Sequence, residues 1–340
     1  MVSKKRNGRH KQNGKLMPFE EGVKKRYTRA ASSKEKSLCC PVSYDPKYLG
    51  VIPREILEKD YGCGDPTPYV RKGDVVLDLG SGAGKTCYIA SQIVGPKGKV
   101  IGVDFNLAML ALAQKYQKEV GASVGWHNVE FRWGRIQDLK TNLADESVDV
   151  ILSNCVLNLV RPEDKKKLFQ EMHRLLKKGG RVAISDIVSN EPVPRVLQRD
   201  PRLWSGCISG AFQEKALLQT FEEAGFYGIK IEKRDERPWR MIRGIEFRSV
   251  TVTAYKGKEG PCWERHQTVI YKGPWKQVED DDHHLLRRGI PTAVCDKTFQ
   301  IFSKEPYRGD LVLIQPRKEI SLSKARPFDC RRNPEREQCC

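Results

Sequence analysis

The 340-residue chain lacks several features that would place it in a class at once. No apolar run approaches the roughly 18 residues a membrane-spanning helix needs, so none is expected. The N-terminal stretch MVSKKRNGRHKQNGK has basic residues but no apolar core behind them, which argues against a secretory signal and for the cytoplasm. There is no CxxC pair among the eleven cysteines, so a zinc ribbon or thioredoxin-type centre has no local support. Without an export signal, those cysteines read as thiols in a reducing compartment. Acid is scarce at the N-terminal end. Twelve Lys and Arg up to Lys36 face only Glu20, Glu21 and Glu35, and they supply much of the net charge of +18. Residues 1–38 therefore read as a basic leader without ordered structure. A nucleic-acid arm is an alternative for that leader, yet no base-stacking pattern or nucleic-acid fold accompanies it, so nucleic acid is not an expected partner.

From Val75 onward, strand and helix patterns alternate. VVLDLGSG, KVIGVDF, VEFRWGRIQDL, VDVILSNCVLNL and RVAISDIV read as strands. TCYIASQIVG and LAMLALAQKYQKEVG lie between them as helices, and PEDKKKLFQEMHRLLKKGG opens on Pro162 and closes on Gly179-Gly180. The fold class expected is α/β, a doubly wound, mostly parallel, Rossmann-like sheet with a smaller β-containing C-terminal domain. The division predicted is a catalytic domain over residues 39–236, a β-rich domain over 237–316 and a flexible, cysteine-containing tail over 317–340. A monomer is expected.

The turn DLGSGAG joins the first strand to a helix, where glycines allow close backbone approach to a ligand. Gly84-Lys85-Thr86 imitates the end of a P-loop, but Gly80 and Gly84 are separated by three residues rather than four. Lys85 also stands where a dinucleotide site has its last glycine. Asp78 before the glycines suits a cationic ligand, and Asp104 at the tip of the second strand suits ribose hydroxyls. This arrangement resembles the class I S-adenosylmethionine-dependent methyltransferases over about Asp74 to Ile231. The resemblance implies that Gly80, Gly82 and Gly84 pass the methionine moiety and that Asp104 with Phe105 holds the ribose. It also places Ile136 and Gln137 by the adenine and Asn154 beside the transferred methyl.

Three cysteines stand in conspicuous settings: Cys63 in YGCGDPTP, Cys155 ending the fourth strand in LSNCVLNL, and Cys207 in SGCISGA after the fifth. Strand C-terminal ends share one rim of such a sheet, so three sulfurs could converge above the cofactor. These segments and their separations resemble the thiol motifs of arsenite methyltransferases. The implied activity is methyl transfer from S-adenosylmethionine to arsenite and methylarsenite, arriving as thiol conjugates and held on Cys63, Cys155 and Cys207, in arsenic biotransformation and detoxification. Trivalent arsenic is soft and thiophilic, which explains a demand for thiolates. A fourth family cysteine falls at Cys39-Cys40. Methylation oxidises the arsenic, and closure of Cys63 with Cys40 or Cys39 could return two electrons, with glutathione or thioredoxin as the external reductant.

Blander readings accompany these. Cys87 and Cys295 read as packing residues, Glu279 to His284 as a solvated acidic loop in preference to a metal site, and Trp133 and Trp204 as core or rim aromatics. Two rival functions remain at this point: a small-molecule C- or O-methyltransferase with no use for three thiols, and a basic nucleic-acid-binding protein.

Overall fold

A computed structural model describes residues 18–38, 42–140 and 143–329. The leader departs from expectation first. Pro18–Ser32 forms a helix, α1, whose Val23, Ala30 and Ala31 are buried. With Tyr27 they form an i, i+4, i+7, i+8 stripe, the signature of a packed helix face. The surrounding Lys and Arg concealed this period in the composition. A short helix, α2 (Arg54–Glu58), then leads into the segment carrying Cys63.

The central sheet begins with β1 (Val75–Leu79), β2 (Lys99–Asp104), β3 (Val129–Trp133), β4 (Val148–Asn154) and β5 (Leu176–Ser189). It continues with the short β6 (Phe212–Gln213), β7 (Tyr227–Arg234), β8 (Arg240–Ile242) and β9 (Ile245–Tyr255). Their order is β3-β2-β1-β4-β5-β9-β7, with β6 on β5 and β8 on β9. β3 through β5 are parallel, while β9 runs antiparallel between β5 and β7. Alternation of side chains along each strand divides the core in two. Val76, Val100 and Val150 face the layer of α3 (Lys85–Val94) and α4 (Leu107–Lys115). Leu77, Ile101 and Ile151 face α6 (Pro162–Leu175) and α9 (Glu214–Glu223). Between α4 and α6 lies α5 (Gln117–Val124), and between α6 and α9 lie α7 (Arg195–Gln198) and α8 (Pro201–Trp204). Helix α6 ends at Leu175, short of the glycines, because Leu176 pairs with Val148 and the chain enters β5.

The boundary at 237 is corrected. Ile245–Tyr255 is buried along nearly its whole length and pairs with both neighbours in the main sheet. The second unit begins after it, with β10 (Trp263–Glu264), β11 (Gln267–Tyr271), β12 (Gln277–Glu279), β13 (Leu285–Arg287) and β14 (Pro291–Val294). It closes with α10 (Asp296–Phe302), β15 (Leu311–Ile314) and β16 (Arg326–Pro327), around Val269, Leu286, Phe299 and Phe302. The tail is tied in as far as described, because β16 pairs with β10. Glu279 to His284 is only partly the solvated loop expected: Glu279 and His283 are exposed, while the residues between and after them are engaged. Asp280 accepts from buried His284, and Asp281 accepts from the Gly228 and Ile229 amides at 2.6 and 3.3 Å. Cys262 is disulfide-bonded, contrary to the reading of every cysteine as a thiol. Cys63, Cys87, Cys155, Cys207 and Cys295 are free. Among the described residues no helix is long and apolar enough to cross a membrane.

Candidate active site

At the C-terminal rim of β1, β2 and β4 opens a cavity of about 1140 Å³, counted out into its mouth. Gly80, Ser81 and Gly82 form one wall, and Asp78, Asp104, Phe105, Ile136, Gln137 and Asn154 also line it. Glu20, Val23 and Tyr27 of α1 close it from above. Gly82 has φ +51° and open space on the side a Cβ would occupy, so ligand can press against bare backbone there. Gly84 serves differently. A Cβ at this position, φ +86°, would strike Phe131, and the residue is absent from the lining. Its expected place by the methionine moiety is therefore corrected: it lets α3 pack on the sheet.

The charges fit a cationic ligand. Burial pushes the Asp78 carboxyl up to about 7, although the Cys87 thiol donates to its Oδ2 at 3.2 Å. Burial also raises Asp104, opposed by amides of Asn106 and Gly82 donating at 2.7 and 2.9 Å. Both acids are costly as anions until a cation or hydrogen-bond donors arrive. Ser81 Oγ is buried in the wall without a partner, a polar group left for a ligand to satisfy. Lys85, the P-loop mimic, also lines the cavity but is already engaged. It pairs with Asp60 and lies 3.5 Å from the Tyr44 ring centroid, fastening the segment before Cys63 to the start of α3.

Beside the cavity, the structure brings the three conspicuous cysteines together. The sulfurs of Cys63 and Cys155 and an Asp186 carboxylate oxygen lie within 4.8 Å of one another. Cys63, Cys155 and Cys207 share one buried cluster, and the Cys207 thiol donates to the Cys155 carbonyl at 3.1 Å. Each position has a structural cause. Asn154 Oδ1 accepts from the Cys63 and Gly64 amides at 2.8 and 3.2 Å, while its Nδ2 donates to Gly64 O at 2.6 Å and Tyr44 at 2.9 Å. Its side chain thus pins the Cys63 loop, a role the sequence reading did not give it. Gly62 is needed there because a Cβ would overlap Asn154. Asn158 Nδ2 reaches Asp186, Ile187 O and Cys207 O, tying the loop after β4 to β5 and to the Cys207 loop. Cys155 and Cys207 both have φ of 62°, left-handed conformations that cost a non-glycine residue about 1–3 kcal/mol.

The thiols are buried and electrically constrained. For Cys207, the hydrogen bond to Cys155 and then burial hold the thiol well above its usual range. For Cys155, the bond to Cys207 pulls down, but Cys63 and burial push up further. Asp186, missed in the sequence as an acid inside an apolar strand, is pushed up to about 6 by burial. It also accepts from the Leu157 and Ile187 amides. Cys87, a packing residue by its sequence setting, also donates to Asp78, a link visible only in three dimensions. Cys295 does act locally, capping α10 by accepting from the Thr298 amide. Trp204 is buried near the Cys207 loop, and Trp133 is on the rim. Cys39, Cys40, Cys330, Cys339 and Cys340 lie outside the described residues.

The parallel sheet with one antiparallel strand inserted before its edge, and a rim cavity presenting Asp78, a glycine turn and Asp104, define a class I S-adenosylmethionine-dependent methyltransferase. A family model described as a methyltransferase domain matches residues 70–225, and a domain of unknown function matches residues 258–339. An arsenite methyltransferase of Aquipseudomonas alcaligenes is 33% identical over 80% of this chain and 83% of its own. The human arsenite methyltransferase is 32% identical over 78% of this chain and 73% of its own. A crystal structure of an arsenic(III) S-adenosylmethionine methyltransferase from Chlamydomonas reinhardtii superposes with a TM-score of 0.63 at 28% identity, over 84% of this chain and all of that one. The chain belongs to the arsenite methyltransferase family.

Proposed function

We propose that Cys63, Cys155 and Cys207 bind trivalent arsenic as substrate and present its lone pair to the methyl group of S-adenosylmethionine in the adjoining cavity. The observation that carries this reading is the clustering of three free thiols from distant segments beside the cavity, with Cys155 in its wall. The cofactor, when bound, supplies an electrophilic methyl on a sulfonium. The chain's part is alignment: Asn154 and Asn158 hold the backbone of Cys63 and of Cys207, α1 covers the cavity, and Cys155 borders it. Such fixing can contribute up to about 7–11 kcal/mol against a bimolecular encounter. No general base is required, because a lone pair attacks. Loading is balanced in protons for arsenous acid, since each thiol proton leaves with an arsenic hydroxyl as water. From a thiol conjugate, the proton passes to the departing thiol instead.

Transfer leaves arsenic two electrons poorer. Two thiols closing to a disulfide return those electrons; we assign this to Cys63 with Cys40 or Cys39, reset by glutathione or thioredoxin. The same reading has the chain acting as a monomer in the cytoplasm, on arsenite and then methylarsenite. A methyltransferase directed at carbon or oxygen leaves the thiol cluster without a use. The test is replacement of Cys155 or Cys207 by Ser. Methylation of arsenite is expected to vanish with S-adenosylmethionine affinity intact, as read by separating arsenic species and by calorimetry. Undiminished turnover in these variants would refute the assignment.

A further inference from the structure

Among the described residues, the donor set already gathered at the thiol cluster is not three sulfurs. Cys63 Sγ, Cys155 Sγ and an Asp186 carboxylate oxygen lie within 4.8 Å of one another. Cys207 falls outside that set, its thiol turned to the Cys155 carbonyl at 3.1 Å. We propose that Cys63, Cys155 and Asp186 form a binding position for a thiophilic divalent cation of the zinc and cadmium type, which excludes arsenite by taking two of its sulfurs. The exclusion rests on the reading of the three thiols as the arsenic site; the cation site itself does not.

The donors suit such an ion. Zinc accepts thiolates together with a carboxylate oxygen, and three-ligand sites leave its fourth position open. All three side chains are buried, Asp186 at 2% exposure. The hydrogen bonds that Asp186 accepts come from neutral groups: the amides of Leu157 and Ile187 at 2.9 and 2.7 Å, and Asn158 Nδ2 at 2.8 Å. A buried carboxylate served only by neutral donors is costly, and a cation beside it offsets that cost. Leu157 donates to Oδ2 and the other two to Oδ1, so Oδ2 keeps acceptor capacity for a metal.

Each donor is held by the fold before any ligand arrives. The Cys63 peptide is clamped at both ends, its amide donating to Asn154 Oδ1 at 2.8 Å and its carbonyl accepting from Ser249 Oγ at 2.7 Å. The Cys155 amide donates to Ser185 O at 2.8 Å, next in sequence to Asp186. Entry is by the cavity that Cys155 lines. Binding displaces the two thiol protons to solvent. Arsenic asks for more. It takes sulfur in preference to carboxylate oxygen, so Cys207 must leave the Cys155 carbonyl to join it, whereas the divalent ion uses the set as it stands.

The experiment titrates the full chain with cadmium chloride, without added thiol, and follows the near-ultraviolet absorption of cadmium thiolates. Wild type is compared with Cys155→Ser, Cys207→Ser and Asp186→Asn. The absorption that Cys155→Ser removes is the share of this site rather than of cysteines elsewhere. Cys207→Ser is expected to keep that share, with a dissociation constant within about twofold of wild type. In Asp186→Asn the dissociation constant should rise about tenfold or more. Zinc should inhibit methylation competitively with arsenite and leave S-adenosylmethionine affinity, read by calorimetry, unchanged. Should Asp186→Asn fail to fold, the Cys207→Ser titration still decides. An equal loss in Cys207→Ser and Cys155→Ser means that the cation takes three sulfurs and overturns the proposal, as does wild-type affinity in folded Asp186→Asn. A Cys207→Ser protein that binds cadmium normally and still methylates arsenite supports the cation site while refuting the three-thiol reading.

Discussion

Cofactor binding should depend on pH through Asp78. Its carboxyl is enclosed at the end of β1, donated to by the Cys87 thiol at 3.2 Å, and burial raises it to about 7 in the ligand-free protein. A cation in the cavity favours the carboxylate, so binding must remove a proton wherever Asp78 still carries one. The sign follows: apparent affinity is constant above about pH 7 and weakens as pH falls. With one proton lost on binding, the dissociation constant rises about tenfold at pH 6 and about a hundredfold at pH 5, until the protonated form binds as well. The same shift marks stability without ligand. A penalty of about 4 kcal/mol for burying the charge is absent below about pH 4, grows as pH rises, and is complete above about pH 7. The cofactor should therefore raise the melting temperature more at pH 8 than at pH 5. Calorimetric titration with S-adenosylmethionine from pH 5 to 7.5, on wild type and Asp78→Asn, is the assay. Wild-type affinity that stays level across this range, or an Asp78→Asn profile as steep as wild type, refutes the reasoning.

Other expectations follow from single contacts. Gly82→Ala adds a methyl on the open side of a residue with φ +51°. Cofactor affinity should drop about tenfold or more, with a stability loss of about 1–2 kcal/mol read by denaturant unfolding. Asp281→Ala removes the acceptor for two β7 amides at 2.6 and 3.3 Å. It should cost about 1–3 kcal/mol in thermal unfolding while leaving kcat for arsenite methylation unchanged, since the contact lies outside the cavity lining.

The parallel part of the sheet was legible because its strands are short apolar runs separated by helices with clear glycine and proline punctuation. The glycine turn and its two acids were legible because backbone approach and ribose or cation binding demand particular residue types at fixed places on β1 and β2. The antiparallel β9 was misassigned to the second domain for a physical reason. A strand buried on both faces carries no mark of which sheet it completes. Helix α1 was lost in charge, since four apolar residues among many Lys and Arg shift the composition very little. They still suffice for one buried face.

What the sequence alone determined was the chemistry on offer: three cysteines in distinctive settings, acids suited to a cation, and a turn able to admit a ligand. These are properties of residue type and local spacing, and they persist in an unfolded chain. Tertiary structure decided which groups meet. Asn154 closes on the Cys63 loop across 91 residues, Cys87 reaches Asp78, Asp186 joins the thiols, and Tyr27 of α1 lines the same cavity as Cys155. Such contacts depend on how layers stack and loops cross the rim of the sheet, where a residue's partners are set by packing of the whole core rather than by its neighbours in the chain.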